Sequence, residues 1–242
     1  MTTGSAQDRV FAKRLKQIKS FEFDQSVADV FQDMISRSVP GYPVLMQMTG
    51  LFADIFVQPK SRVYDLGCSL GVATRIISKV SHEAAPEIIA IDNSIAMIEK
   101  CREDPFQPEN VEWICDDIQK MEINNASMVV LNLTLQFLPP QNRDDLIRKI
   151  WEGLNPGGIL FLSEKVELDD ELENDRMVEL YQAFKKSRGY SELEISQKRA
   201  ALEKVLIPDT PRQHSDRLEQ AGFSEVYECF RCFNFCAYLA IK

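Results

Sequence analysis

Apolar residues recur at helical spacing in the stretch that follows Asp24. They are Val27, Val30, Phe31, Met34 and Ile35. Asp24 is suited to cap the start of a helix, and Pro40 and Gly41 are suited to end one. The pattern therefore predicts one helix between these points, and a second helix is predicted over residues 43–56.

After residue 56, short β-rich runs alternate with helical stretches. The predicted strands cover residues 62–66, 87–91, 111–115, 127–133 and 158–163. Helices are predicted between them, ending near Val80 and Cys101 and covering about 142–153. Strand alternating with helix gives parallel βαβ units, so this part predicts an α/β, doubly wound sheet that binds ligands at the carboxyl ends of its strands.

The last third of the chain departs from that alternation. Residues 169–206 are predicted to form one or two charged helices, inserted before a helix at about 211–221. Residues 223–230 and 233–241 are β-rich and closely connected, which predicts an antiparallel pair at the sheet edge. The complete prediction is a mostly parallel, seven-stranded sheet with an antiparallel last strand.

Composition and chain length indicate a single globular domain. No linker rich in proline, glycine or serine divides the 242 residues, so we expect one domain over residues 21–242. Residues 1–20 are rich in Lys and Arg, and we expect them to form a flexible basic N-terminus. Hydrophobic residues at 45% and charged residues at 27% exclude a mostly disordered chain or a fibre.

The net charge and the length of the apolar runs limit the binding partners and the cellular location that we expect for this chain. The formal net charge is −9, and no basic face is visible beyond the first twenty residues, so we expect no direct binding of nucleic acid. No apolar run approaches the roughly 20 residues that span a bilayer. The first residues lack the pattern of a signal peptide, so we expect a cytoplasmic protein without a membrane segment.

The cysteines and histidines do not form a metal-binding pattern. Cys229 and Cys232 have C-x-x-C spacing, but a zinc site needs two further thiols or imidazoles at similar spacing. We expect both to be buried or half-buried free thiols in a strand. His82 and His214, the two histidines, fall in or near helical segments and are expected at the surface. No metal site is predicted.

The strongest chemical signal is the run from Asp65 to Gly71, in which a strand leads into a glycine turn that opens a helix. Gly67 and Gly71 allow the backbone to approach a ligand closely, and the carboxylate of Asp65 can receive an ammonium or amide group. The spacing is D-x-G-x-x-x-G, whereas a dinucleotide site shows G-x-G-x-x-G. This difference implies a ligand without phosphates.

Polar residues also follow the next three strands. Asp92 closes the second strand, where a carboxylate can accept both hydroxyls of a free ribose. Asp117 and Ile118 follow the third strand, suited to bond an adenine amino group and to pack on its face. Asn132 closes the fourth. Each has a structural alternative, because an Asp after a strand often caps a helix and an Asp-Asp pair often forms a turn.

Taken in order on successive strand ends, these features resemble the class I S-adenosylmethionine-dependent methyltransferase superfamily over about residues 43–165. This implies a Rossmann-like fold. The acceptor side does not match an ordinary methyltransferase, because the motif Asn/Asp-Pro-Pro-aromatic expected after strand four is replaced by Asn132-Leu133-Thr134-Leu135. No placed histidine base and no Pro-Cys nucleophile is visible either.

Further segments closely resemble the carboxy-S-adenosyl-L-methionine synthase family. They are residues 39–42, 126–132 with 134–138, 153–158 with 163–165, and 189–199. The last of these, GYSELEISQKR, is the most specific, because the rest of the superfamily does not carry it. With these segments the resemblance covers about residues 21–242.

The resemblance implies an enzyme that converts S-adenosyl-L-methionine and prephenate into carboxy-S-adenosyl-L-methionine and phenylpyruvate. The family's nucleoside contacts fall on Tyr42, Gly67, Cys68, Ser69, Asp92, Asn93, Asp117, Ile118 and Asn132. Arg199 falls on the arginine that pairs with the added carboxylate and is the candidate catalytic residue, since a guanidinium offers two parallel donors. Without the resemblance, Arg199 would be an exposed helix arginine.

The resemblance also implies a homodimer, in which the insertion at residues 169–206 meets the partner. The product then serves a second enzyme, which forms uridine 5-oxyacetic acid at a tRNA wobble position. Two other interpretations remain from the residues alone: a small-molecule methyltransferase with the same nucleoside pocket, and a non-catalytic nucleoside-binding subunit. They differ in the nucleoside that each would hold.

Overall fold

The computed structural model describes residues 6–105 and 107–242. Within them, seven strands form one sheet in the order β3-β2-β1-β4-β5-β7-β6. The strands are β1 Arg62–Leu66, β2 Glu87–Asp92, β3 Val111–Cys115, β4 Ala126–Asn132, β5 Leu154–Lys165, β6 Glu225–Cys232 and β7 Phe235–Ile241. Strands β1 to β5 pair in parallel, whereas β7 runs antiparallel to both β5 and β6. The predicted fold class is confirmed, including the antiparallel pair at the edge.

Helices and one 3-10 turn connect the strands. The helices are α1 Gln25–Ala28, α2 Phe31–Ser38, α3 Tyr42–Phe56, α4 Val72–Val80, α5 Ile95–Glu103, α6 Pro140–Gly153, α7 Glu171–Ser187, α8 Glu192–Leu202 and α9 Pro211–Ala221. The 3-10 turn covers Leu135–Phe137, directly after β4. The helices α7 and α8 form the insertion that the sequence predicts before the last helix.

Two apolar clusters cover the two faces of the sheet. On one face, α6 and α9 pack through residues such as Ile147 and Leu218 against strand residues that include Val129. On the other face, α3 and α4 pack against the neighbouring strand residue Met128. Successive residues of a strand point to opposite faces, so a strand covered on both sides is apolar throughout, as β4 is.

The first predicted helix is wrong in one respect, because the chain forms two short helices there. Asp24 caps α1 as expected, accepting the Val27 N–H at 3.0 Å. The helix ends at Ala28, and the Val30 N–H donates to the Val27 carbonyl at 3.1 Å in a tighter turn before α2 begins. Val27 and Met34 still reach the same apolar cluster. Periodicity therefore identified the buried face but not the break.

The N-terminal segment, for which we expect a flexible arm, makes contacts with α8. Residues 1–5 lie outside the described residues, but the chain from Asp8 onward packs against α8. Asp8 and Phe11 are buried, while residues 12–20 are exposed. The buried Gln197 side chain donates to the carbonyls of Phe11 at 2.8 Å and Lys13 at 2.9 Å, and accepts the Leu15 N–H at 2.7 Å. We call residues 8–21 the N-terminal strap.

Replacing Gln197 should loosen the strap. Gln197→Met keeps the side-chain length but leaves the strap groups without their hydrogen-bond partner, at an expected cost of about 1–3 kcal/mol. We expect a lower urea midpoint and faster tryptic cleavage at Lys13 and Arg14. Gln220→Met, on the exposed face of α9, is the matched control. Unchanged cleavage and midpoint in Gln197→Met would show that these hydrogen bonds do not hold the strap.

Candidate functional site

The turn after β1 brings the first strand end against the loop that follows β4. Gly67 has a φ of 82°, and a Cβ atom there would lie 2.4 Å from Oγ1 of Thr134. Gly71, with a φ of 70°, begins α4, and a Cβ atom there would lie 2.3 Å from the Trp113 ring. Only glycine fits both the conformation and the space at these two positions.

A cavity of about 870 Å³ opens at the carboxyl ends of the strands, where the fold class predicts a ligand. All but two of the predicted site residues line it. They are Gly67, Ser69, Asp92, Asn93, Asp117, Ile118, Asn132 and Arg199. Because these residues come from four strand ends and from α8, the fold brings together positions that are far apart in sequence.

Tyr42 and Cys68 do not line this cavity, and neither does Asp65. Tyr42 packs on the apolar cluster beneath α3, where burial, followed by the charge of Asp65, raises its pKa. Cys68 is buried in an apolar cluster that includes Cys101 and Trp113. Asp65 is buried and accepts from the Thr74 hydroxyl. Burial raises the pKa of Asp65 to about 6, partly offset by that hydrogen bond.

Asp92 is held in place by two backbone donors. The Ser69 N–H donates to Oδ2 and the Ser94 N–H to Oδ1, each at 2.9 Å. Burial raises the pKa of Asp92, while these donors oppose the shift. A carboxylate oxygen has capacity for more than one donor, so both oxygens can still accept from a ligand. The alternative of a plain helix cap does not hold, because Ser94 provides the side-chain cap of α5.

Asp117, after β3, and Asn132, at the end of β4, face the same cavity. Asp117 accepts the Gln119 N–H at 2.9 Å, so the predicted turn is present alongside the cavity position. The Asn132 Oδ1 atom accepts from the Ser163 hydroxyl, which fixes the orientation of the amide. The amide NH₂ group of Asn132 therefore remains to donate to a ligand.

Sequence reasoning assigned no role to Glu164, which supports the cavity wall from behind. Its buried carboxylate accepts the backbone N–H groups of Thr134 at 3.0 Å, Leu135 at 2.7 Å and Gln136 at 3.1 Å. Burial raises its pKa to about 8, although these donors oppose the shift. The sequence does carry one signal for Glu164, because it is a charged residue near the end of an apolar strand. Glu164 fixes the loop whose residues line the cavity.

A cluster of cations also lines the cavity. It consists of Lys165, Lys185, Lys198 and Arg199. Arg199 is exposed toward the cavity, and its guanidinium has no hydrogen bond or ion pair within the part of the chain described here. Sequence reasoning found only Arg199, because the three lysines come from β5, α7 and α8 and share no spacing pattern.

The prediction for His214 is wrong. This residue is buried on the inner side of α9, and burial lowers its pKa to about 4. It lies near the ion pair between Arg143 and Asp209, whose atoms are 2.8 Å apart, and does not line the cavity. His82 is exposed, and Cys229 and Cys232 are half-buried free thiols, as expected.

Over residues 6–105 and 107–242, no group of three or more His, Cys, Asp or Glu side chains is arranged to hold a metal ion. No helix in those same stretches combines the length and the apolar character that crossing a bilayer requires.

Comparison with known proteins assigns the chain to a family. Residues 63–158 match a methyltransferase domain family. Proteins named carboxy-S-adenosyl-L-methionine synthase from Shewanella oneidensis and Shewanella denitrificans are 51% and 52% identical to it over 241 residues, 98% of this chain and 99% of each relative. The chain belongs to the carboxy-S-adenosyl-L-methionine synthase family. This family assignment makes it an enzyme of the transferase type.

A solved structure agrees on the fold of this synthase family member. Human N-acetylserotonin methyltransferase, in complex with S-adenosylmethionine, superposes with a TM-score of 0.60 at 18% identity, over 90% of this chain and 55% of that protein. At this level of identity the likeness supports the class I methyltransferase fold alone. The insertion and the strap both lie outside residues 63–158, the stretch that matches the methyltransferase domain family.

Asp92→Ala tests the nucleoside end of the cavity. We expect the variant to fold but to lose at least 100-fold in affinity for S-adenosylmethionine, because two hydrogen bonds to a carboxylate are removed, each contributing roughly 1.5–3 kcal/mol. Titration calorimetry measures the affinity, and Asp54→Ala, on the exposed face of α3, is the control. Near-normal affinity in Asp92→Ala would remove Asp92 from the binding site.

Proposed function

We propose that this protein converts S-adenosyl-L-methionine and prephenate into carboxy-S-adenosyl-L-methionine and phenylpyruvate. The observation that carries the proposal is an arginine without an internal partner, Arg199, facing the same cavity as the oriented carboxylate of Asp92. The carboxylated product carries a carboxylate on the carbon attached to sulfur, which S-adenosylmethionine lacks. Arg199 is available to pair with this group.

The nucleoside would bind along the strand ends. Asp92 would accept the two ribose hydroxyls, Asp117 the adenine amino group, and Ile118 would pack on the ring. The glycine turn at Gly67 allows the backbone to approach the ligand. Asn132, with its amide oriented by Ser163, would donate to the amino-acid part of the ligand.

The reaction is balanced without a protein base. Prephenate loses carbon dioxide and hydroxide as its ring becomes aromatic, giving phenylpyruvate. The sulfonium acidifies its methyl group, so the departing hydroxide takes a methyl proton and becomes water. The resulting ylide carbon then bonds to carbon dioxide, and the methyl group becomes a carboxymethyl group that stays on sulfur.

This chemistry demands proximity and exclusion of water more than acid–base groups. The cavity fits that demand, since neither histidine of the chain lines it. Its walls include apolar side chains from the strap and from α2, among them Phe21, Phe31 and Met34. These would hold carbon dioxide beside the ylide long enough for the new bond to form.

The acidic character of the chain agrees with a small-molecule role. A protein with a formal net charge of −9 is poorly suited to hold tRNA. We propose that the product leaves for a second cytoplasmic enzyme, which forms uridine 5-oxyacetic acid at the wobble position. We further propose a homodimer that contacts through α7 and α8, whose Leu172 and Leu193 are exposed.

The nucleoside that co-purifies with the protein tests the proposal. Mass spectrometry should detect S-adenosylmethionine plus about 44 mass units, the added carbon dioxide, and incubation with prephenate should release phenylpyruvate. A methylated acceptor instead of the carboxylated nucleoside would support the small-molecule methyltransferase. S-adenosylmethionine that stays unchanged with prephenate present would support the non-catalytic subunit.

Arg199→Ala should change the affinities for carboxy-S-adenosylmethionine and S-adenosylmethionine by different amounts. We expect affinity for carboxy-S-adenosylmethionine to fall by about 2–5 kcal/mol, the range for losing one partner of a charged pair, with little change for S-adenosylmethionine. Arg199→Lys should recover only part, because an ammonium lacks the guanidinium fork. Dissociation constants for both ligands give the answer, and Arg188→Ala, an exposed arginine after α7, is the control. Equal losses for both ligands would mean that Arg199 does not recognise the carboxylate.

A further inference from the structure

Lys185 is a buried cation in the wall of the cavity. The residue is only 8% exposed, yet it lines the cavity from α7. Its Nζ atom lies 4.3 Å from the centre of the Tyr181 ring, and within the described chain it has no hydrogen bond or ion pair. Lys165, half-buried at the end of β5, approaches the same ring at 5.5 Å.

The surroundings of Lys185 disfavour the charged form of its side chain. Burial, and after it the nearby charges of Lys165, Lys198 and Arg199, together lower its pKa to about 7. The face of an aromatic ring offsets only part of the loss of hydration. Buried charges in proteins are normally paired, so an unpaired ammonium that faces a cavity indicates an anionic ligand.

Lys198 does not belong to the same group, because it already has partners. Its Nζ atom lies 3.0 Å from the Ser38 hydroxyl and 3.8 Å from the buried Asp8 carboxylate of the strap. Lys165 and Lys185 therefore remain as the cations that share Tyr181. Arg199 comes from a different helix, α8, and its guanidinium is not among the groups placed over that ring.

We propose that Lys185 and Lys165, placed over Tyr181, form a second carboxylate subsite, distinct from Arg199. This proposal rests on the proposed function and deepens it. The second substrate has two carboxylates with different fates: the ring carboxylate leaves as carbon dioxide and ends on the product, whereas the pyruvyl carboxylate stays on phenylpyruvate. Arg199 takes the transferred carboxyl group, and the two lysines hold the retained one.

The subsite explains how one cavity orients the second substrate. If the pyruvyl carboxylate is held at Lys185 and Lys165, the ring carboxylate is directed toward the sulfonium and Arg199. Carbon dioxide is then released next to the methyl carbon that captures it. Lys185 and Lys165 are in this sense specificity residues, since they act on the part of the substrate that does not react.

Lys185→Met is the central test. We expect KM for prephenate to rise about 10-fold to 100-fold, with the dissociation constant for S-adenosylmethionine unchanged, and Lys185→Arg to recover part of the loss. Lys186→Met is the matched control, because Lys186 is the next residue on α7, exposed and paired with Glu192 at 2.7 Å. An unchanged KM for prephenate in Lys185→Met would overturn the proposal.

A melting experiment distinguishes this role from a structural one. Removing a buried, unpaired charge should raise the melting temperature of the unliganded protein, whereas removing a structural contact would lower it. The penalty from Lys185 is fully present below its folded pKa of about 7 and disappears as the pH rises toward the ordinary lysine value. The gain from Lys185→Met should therefore be larger at pH 6 than at pH 9, and a lower melting temperature at both would count against the subsite.

Binding of phenylpyruvate separates the subsite from the reaction. This probe keeps only the pyruvyl carboxylate, and calorimetry with protein loaded with S-adenosylmethionine needs no turnover. We expect Lys185→Met and Lys165→Met to weaken its binding at least 10-fold, and Arg199→Ala to leave it within 2-fold. Equal weakening in all three variants would overturn two distinct subsites. Loss on the lysine variants in a protein that forms no carboxylated nucleoside would support the subsite and overturn the proposed function.

Discussion

Helices cover both faces of the parallel strands, and this constraint decides where a ligand can bind. Strand β4 is buried along nearly its whole length, with neighbouring residues packed into opposite apolar clusters. No cavity can open on either face without exposing that core. Polar chemistry is therefore confined to the strand ends, where side chains such as Asp92 and Asn132 leave the sheet and meet the loops.

Both a carboxylate and several cations line the cavity, and the buried cation Lys185 lowers the stability of the fold. Asp92 is oriented by backbone N–H groups, whereas Lys185 has only a ring face and like charges around it. Glu164 lies behind the wall, where its carboxyl group accepts three backbone N–H groups and fixes the loop. Satisfied charges fix the scaffold, and the unsatisfied ones mark the places where a substrate completes the pairing.

The sequence allowed prediction of the features that depend on local spacing. Every strand was identified, because β-rich runs between turns are local signals, and Asp92 and Asn132 were found because strand ends in this fold class share one edge. The break between α1 and α2 was missed, since both halves keep the same buried face. His214 was misplaced because the inner side of α9 is defined by contacts with the sheet. Lys165 and Lys185 were missed because β5 and α7 meet only in the folded chain.

The strap, the insertion and the cation cluster are connected to one another through α8. Gln197 ties the strap to α8 at the residue before Lys198, which in turn contacts Asp8 of the strap. The same helix carries Arg199, and α7 carries Lys185. All of these residues lie outside residues 63–158, the part of the chain that matches the methyltransferase domain family. The contacts of the strap with α8 therefore tie the N-terminal part of the chain to the insertion, on the helix that carries Arg199.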